Sequence, residues 1–223
     1  MKNKNLESLR EIYKRYISSN IYFSLYGDKG SYHSYIEFYE EKLLPFRTHQ
    51  VNLLEIGIYD GGSMAMFNEY FPNGKMYGID ISDEYINPLF KNIFTFSLGH
   101  QSNHRVYKNF PSFHIIIDDG SGKLKDQINT LRFLYFKLKF NGLYFIEDIS
   151  DIKLAKNEIS QLNKNYIFYD FREINNRFDN VILQVRKPIN LYTIFLHVTS
   201  MLHYYKNIYI FKKDNILNES KKR

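Results

Sequence analysis

The chain has 223 residues, 44% of them hydrophobic, which is enough for one domain with a full core. It contains no cysteine and no tryptophan, which excludes a disulfide framework and a thiolate metal site. Net charge is +6 at pH 7, but the basic residues are scattered and only the tail ESKKR clusters them. That distribution argues against a nucleic-acid footprint.

Residues 5–18, NLESLREIYKRYIS, place Leu6, Leu9, Tyr13 and Tyr16 at helical spacing, with Asn5 as a cap. The charged start has no apolar signal-peptide core. A glycine-punctuated loop, YGDKGSYH (26–33), precedes a second helix, SYIEFYEEKLL, that stops near Pro45. We read 1–48 as a helical extension with this loop, 49–187 as the core and 188–223 as a C-terminal extension.

In the core, VNLLEIG (51–57) is a strand and SMAMFNEYF (63–71) a helix. KMYGID (75–80), NIFTFSLG (92–99) and FHIIIDD (113–119) are strands. KLKDQINTLRFLYFKLK (123–139) is a long helix, GLYFIED (142–148) a fifth strand and KLAKNEISQL (153–162) a helix. NYIFYDFRE (165–173) and NVILQVRK (180–187) form a closing antiparallel pair across a polar turn. The most apolar late stretch, 191–205, is too short and too polar to span a bilayer. We expect a cytoplasmic protein with no membrane span. The aromatic stretch 189–212 fits a lid, an oligomer contact or part of the core, and homo-oligomerisation stays open.

Alternation of strands and helices predicts an α/β fold: a doubly wound, Rossmann-like, mostly parallel sheet. Ligands of such sheets bind beyond the carboxyl ends of the strands. LLEIGIYDGGS (53–63) ends a strand, turns through Gly57, Gly61 and Gly62, and opens a helix at Ser63. The spacing is not the dinucleotide fingerprint. An acidic residue in front, Glu55, suits a cationic ligand such as an amino or sulfonium group. Asp80, ending the next strand, can accept two hydrogen bonds from ribose hydroxyls, or it can cap a turn.

Asp118 and Asp119 end one strand, and Glu147 and Asp148 the next. Clustered carboxylates repel one another unless a charge compensates. Hard oxygen ligands favour Mg²⁺, Mn²⁺ or Ca²⁺. Strand alternation turns one member of each pair away.

These motifs resemble those of the class I S-adenosylmethionine-dependent methyltransferases, and within them the metal-dependent sugar O-methyltransferases of the macrocin and mycinamicin type. The resemblance runs from about residue 24 to 150, through YGDKGSYHSYIEFYEEKLLPFR, LLEIGIYDGGS, EYFPNGKMYGIDI, LGHQSN, FHIIIDDGSG and NGLYFIEDI. It implies methyl transfer from S-adenosylmethionine to a hydroxyl of a small-molecule or glycan acceptor. It places Glu55, Gly57 and Gly61 against the methionine part of the cofactor, Asp80 against the ribose and Gln101 on the adenine side. We expect Ser63 and Asp118 on the cofactor side as well. Asp119, Glu147 and Asp148 would hold Mg²⁺. The Asp28–Lys29 pair closes over the cofactor or forms a surface salt bridge.

Two positions depart from the pattern. Gly122 stands where the family has a histidine base, and His100 where it has an acid. Another base could serve, with His33 first; the metal could acidify the hydroxyl enough for water or Asp119; or turnover could be lost. His33 could instead simply pack, and His114 reads as structural. The rival readings are a nucleic-acid methyltransferase and a degenerate cofactor-binding protein.

Overall fold

A computed structural model describes residues 6–18, 29–30, 33–162, 165–175 and 177–188. Asn5, Asp28 and the stretch 189–212 therefore lie outside the described residues.

Helix α1 (Leu9–Ser18) has Ser8 at its start. The Ser8 hydroxyl accepts from the Glu11 N–H, and the Glu11 carboxylate accepts from the Ser8 N–H at 2.7 Å. This reciprocal pair satisfies two N–H groups that an uncapped helix start would expose. Leu9, Ile12, Tyr13 and Tyr16 are buried, while Leu6 is exposed. Helix α2 (Ile36–Leu43) follows.

Seven strands form one sheet in the order β3-β2-β1-β4-β5-β7-β6. They are β1 (Asn52–Ile56), β2 (Lys75–Asp80), β3 (Phe94–Leu98), β4 (Phe113–Asp118), β5 (Leu138–Ile146), β6 (Tyr166–Asp170) and β7 (Val181–Arg186). Strands β1 to β5 pair in parallel, and β7 is antiparallel to both β5 and β6. The closing pair read from the sequence is present. Helices α3 (Gly62–Tyr70), α4 (Leu124–Leu134), α5 (Ile152–Ser160) and α6 (Arg172–Asn175) complete the elements.

Two apolar clusters cover the two faces. Leu9, Tyr39, Phe67, Ile117 and Phe145 belong to the first, which takes in α1, α2 and α3. Ile116, Leu131, Tyr144, Ile159 and Leu183 belong to the second, which takes in α4 and α5. Central parallel strands are covered on both sides, so Ile115, Ile116 and Ile117 are all fully buried.

One boundary differs from the sequence reading. Helix α4 ends at Leu134, and β5 begins at Leu138 instead of Gly142. The stretch KLKF has no decisive period, and pairing decides it. Leu138 pairs with Phe113, and the register then shifts before Ile115 pairs with Leu143. Asn141, at φ 63, takes up that shift. The Lys187 ammonium donates to the Tyr135 and Leu138 carbonyls at 3.1 and 2.6 Å, satisfying acceptors left where the helix stops.

Candidate active site

The glycine turn after β1 is built by close backbone approach. Gly57 has φ 81, and a side chain there would collide with the Asp119 carbonyl. The ends of β1 and β4 thus touch through a position open only to glycine. Gly61, in the left-handed region, is the residue before α3. Asp60 accepts from the Gly62 N–H at 2.8 Å, and burial pushes its carboxyl up to about 6. Asp80 accepts from the N–H of Tyr59 at 2.9 Å and of Ser82 at 3.2 Å. It therefore braces the turn whether or not it also meets a ribose.

Side chains alternate across a strand, which sorts the acidic residues. Glu55, Asp119 and Glu147 lie on the face of the first cluster and meet at one atom, the Lys29 ammonium. Lys29 Nζ donates to Asp119 Oδ2 at 2.6 Å and to Glu147 Oε1 at 2.8 Å. It lies 3.4 Å from Glu55 Oε1, an ion-pair distance without an aligned hydrogen bond. Lys29 is only 2% exposed, so the surface-salt-bridge reading of this residue is overturned.

Burial alone would strip the proton from Lys29; the charges of Asp119, Glu147 and Glu55 outweigh it and hold the ammonium. Burial also pushes Glu55 and Glu147 up to about 7, against the pull of that same lysine. Asp119 is raised too, by burial and then by the Glu147 charge, though its 26% exposure moderates the rise. Glu55, Asp119 and Glu147 share one ammonium, and Asp148 lies within Coulombic range of Asp119 and Glu147.

Two phenols reach the cluster from α2. The Tyr39 hydroxyl donates to Glu147 Oε1 at 2.6 Å, and the Tyr35 hydroxyl to Asp148 Oδ1 at 3.3 Å. Residues four apart share a helix face, so one face serves both members of the Glu-Asp pair. Asp148 has φ 58. The expected division of that pair does not occur, because this left-handed turn keeps Asp148 within Coulombic range of Asp119 and Glu147. Among the described residues, no three Asp, Glu or His side chains are gathered at metal-ligand spacing. The oxygen donors nonetheless fit a hard cation, whose charge would favour the ionised carboxylates.

The aspartate pair does divide. Asp118 is fully buried on the opposite face. It accepts from Gln101 Nε2 at 3.1 Å and from the Tyr144 hydroxyl at 3.0 Å. Burial pushes it up to about 7. Gln101 also donates to Thr130 Oγ1 and accepts from the Ser121 N–H at 2.7 Å. The amide expected beside adenine is thus engaged inside the protein at both ends. Ser63 is likewise engaged, donating to Glu55 Oε2 at 2.5 Å.

His33 is 2% exposed and stacks on Tyr35 with ring centroids 4.7 Å apart. Its Nδ1 lies 3.0 Å from Asn180 Oδ1 and 3.7 Å from Asp148 Oδ1. Asn180 Nδ2 donates to the Phe171 carbonyl, which fixes the amide with its oxygen toward His33. The neutral ring then carries its proton on Nδ1 and its lone pair on Nε2. Gly122 has φ 64, and nothing lies within 4 Å of where its Cβ would sit. His100 Nδ1 accepts from the Ser102 N–H at 3.1 Å, so that nitrogen is engaged.

Sequence reasoning missed Tyr35, Tyr39, Asn180 and the depth of Lys29. The Tyr-x-x-x-Tyr spacing in YIEFY was a readable signal for the two phenols. Asn180 carried none.

No family profile matches the chain. It is 32% identical over 132 residues to the 8-demethyl-8-alpha-L-rhamnosyl tetracenomycin-C 2'-O-methyltransferase of Streptomyces olivaceus, a match covering 55% of this chain and 35% of that protein. It is 32% identical to the mycinamicin VI 2''-O-methyltransferase of Micromonospora griseorubida over 54% of this chain and 32% of that one. The matched stretch thus spans about a third of these curated relatives. Among solved structures, the mycinamycin-pathway methyltransferase MycE, in complex with Mg, SAH and mycinamycin VI, superposes with a TM-score of 0.62. Identity there is 22%, over 83% of this chain and 56% of MycE. The fold is that of the class I methyltransferases, and the chain resembles the sugar O-methyltransferases among them.

Proposed function

We propose that this chain is an S-adenosylmethionine-dependent, Mg²⁺-assisted O-methyltransferase acting on a sugar hydroxyl of a glycan or glycosylated small molecule. The observation that carries the reading is the acidic cluster beyond β4 and β5, on the same sheet face as Glu55 and beside the glycine turn. The names of the curated relatives and the ligands of MycE support it.

The residues suit the cofactor. Glu55 Oε1 is buried with no aligned hydrogen bond, as an acceptor awaiting an ammonium group would be. Asp80 lies at the end of β2, and its remaining lone pairs can accept ribose hydroxyls. Gln101 and Asp118 act behind this surface by holding the ends of β3 and β4 together. Asp119, Glu147 and Asp148 would hold the metal, whose chemistry is to make a bound hydroxyl more acidic. The chain's other contribution is alignment of donor and acceptor.

Gly122 offers no base. We assign the acceptor's proton to His33 Nε2, whose ring Asn180 orients. Because His33 is buried, this role requires its ring to be uncovered when the acceptor binds. Turnover without His33 would favour release of the proton to water. A cofactor-binding protein without turnover is the second reading, favoured by Gly122.

The deciding experiment is calorimetric titration of S-adenosylhomocysteine and Mg²⁺, together and separately, into wild type and Asp119→Asn/Glu147→Gln. Cofactor binding with an Mg²⁺ signal lost in the double variant supports the reading and justifies a screen of sugar acceptors. Absence of cofactor binding overturns it.

A further inference from the structure

A buried ammonium that touches two carboxylates and neighbours a third is an unusual use of lysine, because the strongly hydrated Lys head is costly to bury unless paired. Lys29 belongs to the loop before α2, whereas Glu55, Asp119 and Glu147 belong to the ends of β1, β4 and β5. These are the segments on which the proposed site stands.

We propose that Lys29 is the resident counter-ion of the site, a positioning residue that holds Asp119 and Glu147 together and divides the acidic cluster between itself and incoming cations. The inference rests on the methyltransferase reading for its consequence, but its geometry stands alone. Lys29 engages Asp119 through Oδ2 and Glu147 through Oε1, and Tyr39 adds a second donor to that same Glu147 oxygen. The buried side of the cluster is thereby closed. Asp119 and Asp148 keep 26% and 27% side-chain exposure and form its solvent side. A divalent cation arriving from solvent meets these two first. Glu55 is held by Ser63 at Oε2 and only flanked by Lys29 at Oε1, so under the methyltransferase reading Oε1 is left to meet the cofactor's amine. One lysine thus sets how many cationic charges the pocket accepts.

The test uses the full chain with Lys29→Met, Asp119→Asn and the double variant, read by thermal unfolding with and without millimolar MgCl₂. Methionine keeps the length and apolar stem and removes the charge. Lys29→Met is expected to lower Tm by about 10 °C, the effect of leaving buried carboxylates uncompensated in a domain of this size. The double variant, which removes one charge of each sign, is expected to recover at least half of that loss. MgCl₂ is expected to raise the Tm of Lys29→Met by more than that of wild type. Loss of side-chain packing alone would give neither the recovery nor the magnesium difference. If the single variant does not fold, recovery of a folded double variant supports the proposal, and its failure to fold overturns it. A Lys29→Met protein with wild-type Tm, or with the same magnesium response as wild type, also overturns it. None of these readouts needs cofactor or acceptor. A chain that shows the pattern yet binds no S-adenosylhomocysteine would lose the transferase reading and keep this role for Lys29.

Discussion

Gln101 Nε2 donates to Asp118 Oδ1 at 3.1 Å, and this bond fastens the loop after β3 to the last residue of β4. Both side chains are buried, so neither oxygen nor amide has water to turn to. Replacing Gln101 by Ala removes a donor from the buried Asp118, while the Ser121 N–H lies on an exposed residue and can turn to water. A buried group left without its partner costs about 1–3 kcal/mol. We expect urea unfolding to show that loss for Gln101→Ala, with cofactor affinity falling only as far as the loop loosens. Wild-type stability together with a large affinity loss would return Gln101 to direct cofactor contact.

Tyr39 offers a cleaner test of the acidic cluster. Its hydroxyl is a buried donor to Glu147 at 2.6 Å. Tyr39→Phe removes one oxygen and leaves the ring packed on Phe67 and Phe145. Hydrogen bonds to charged groups contribute about 1.5–3 kcal/mol. The expected result is a stability loss in that range, measured by denaturant midpoint at constant m-value. An unchanged midpoint would mean that Lys29 alone suffices for Glu147.

Gly122 can be given the side chain that the resembled family carries. Its φ of 64 disfavours most residues, although histidine tolerates the left-handed region better than branched ones do. Open space surrounds the position, so the cost is backbone strain of about 1–2 kcal/mol. A general base contributes roughly 10²–10⁴-fold. Once an acceptor is found, Gly122→His should raise kcat at least tenfold if the missing base limits the reaction, with cofactor affinity unchanged. His33→Asn should lower kcat by a comparable factor in the wild-type background. Unchanged kcat in His33→Asn would remove His33 from the proton's path.

His114 links pH to stability at the start of the central strand β4, the end opposite the acidic cluster. Its Nδ1 accepts from the Asn52 N–H at 2.9 Å, which requires the neutral ring. Burial first, and then the Lys139 charge, lower its proton affinity below the ordinary value of 6.5. The unfolded chain therefore binds this proton more readily than the folded one. The contribution of His114 is complete above about pH 6.5 and declines as pH falls through that value toward the folded pKa. His114→Gln should flatten the pH dependence of Tm between about pH 5 and 7. A profile unchanged by the substitution would assign that dependence to other groups.

The alternation of strands and helices, the glycine turn and the placement of acidic residues at strand ends were legible in the sequence because each is a local signal, whereas the strand order came from the structure. Alternation fixed that Asp118 and Asp119 face opposite sides, and the structure chose which faces inward to the second cluster. The same rule failed at Glu147 and Asp148, where a left-handed backbone breaks the alternation. The start of β5 was illegible for a related reason: LKF has neither a helical nor a strand period, and pairing with Phe113 decides it.

The sequence by itself determined an alternating α/β sheet, the carboxylates at its strand ends and the glycine-rich turns beside them. Each follows from periodicity, glycine spacing or residue identity, all of which are properties of short segments. Only the tertiary structure decided what lies between those carboxylates. Lys29 and Glu147 are 118 residues apart in the chain and 2.8 Å apart in space. Nothing within either segment encodes that meeting. It arises because packing of α2 against the sheet accompanies burial of Lys29 among the ends of β1, β4 and β5, where a positive charge lowers the repulsion among the carboxylates.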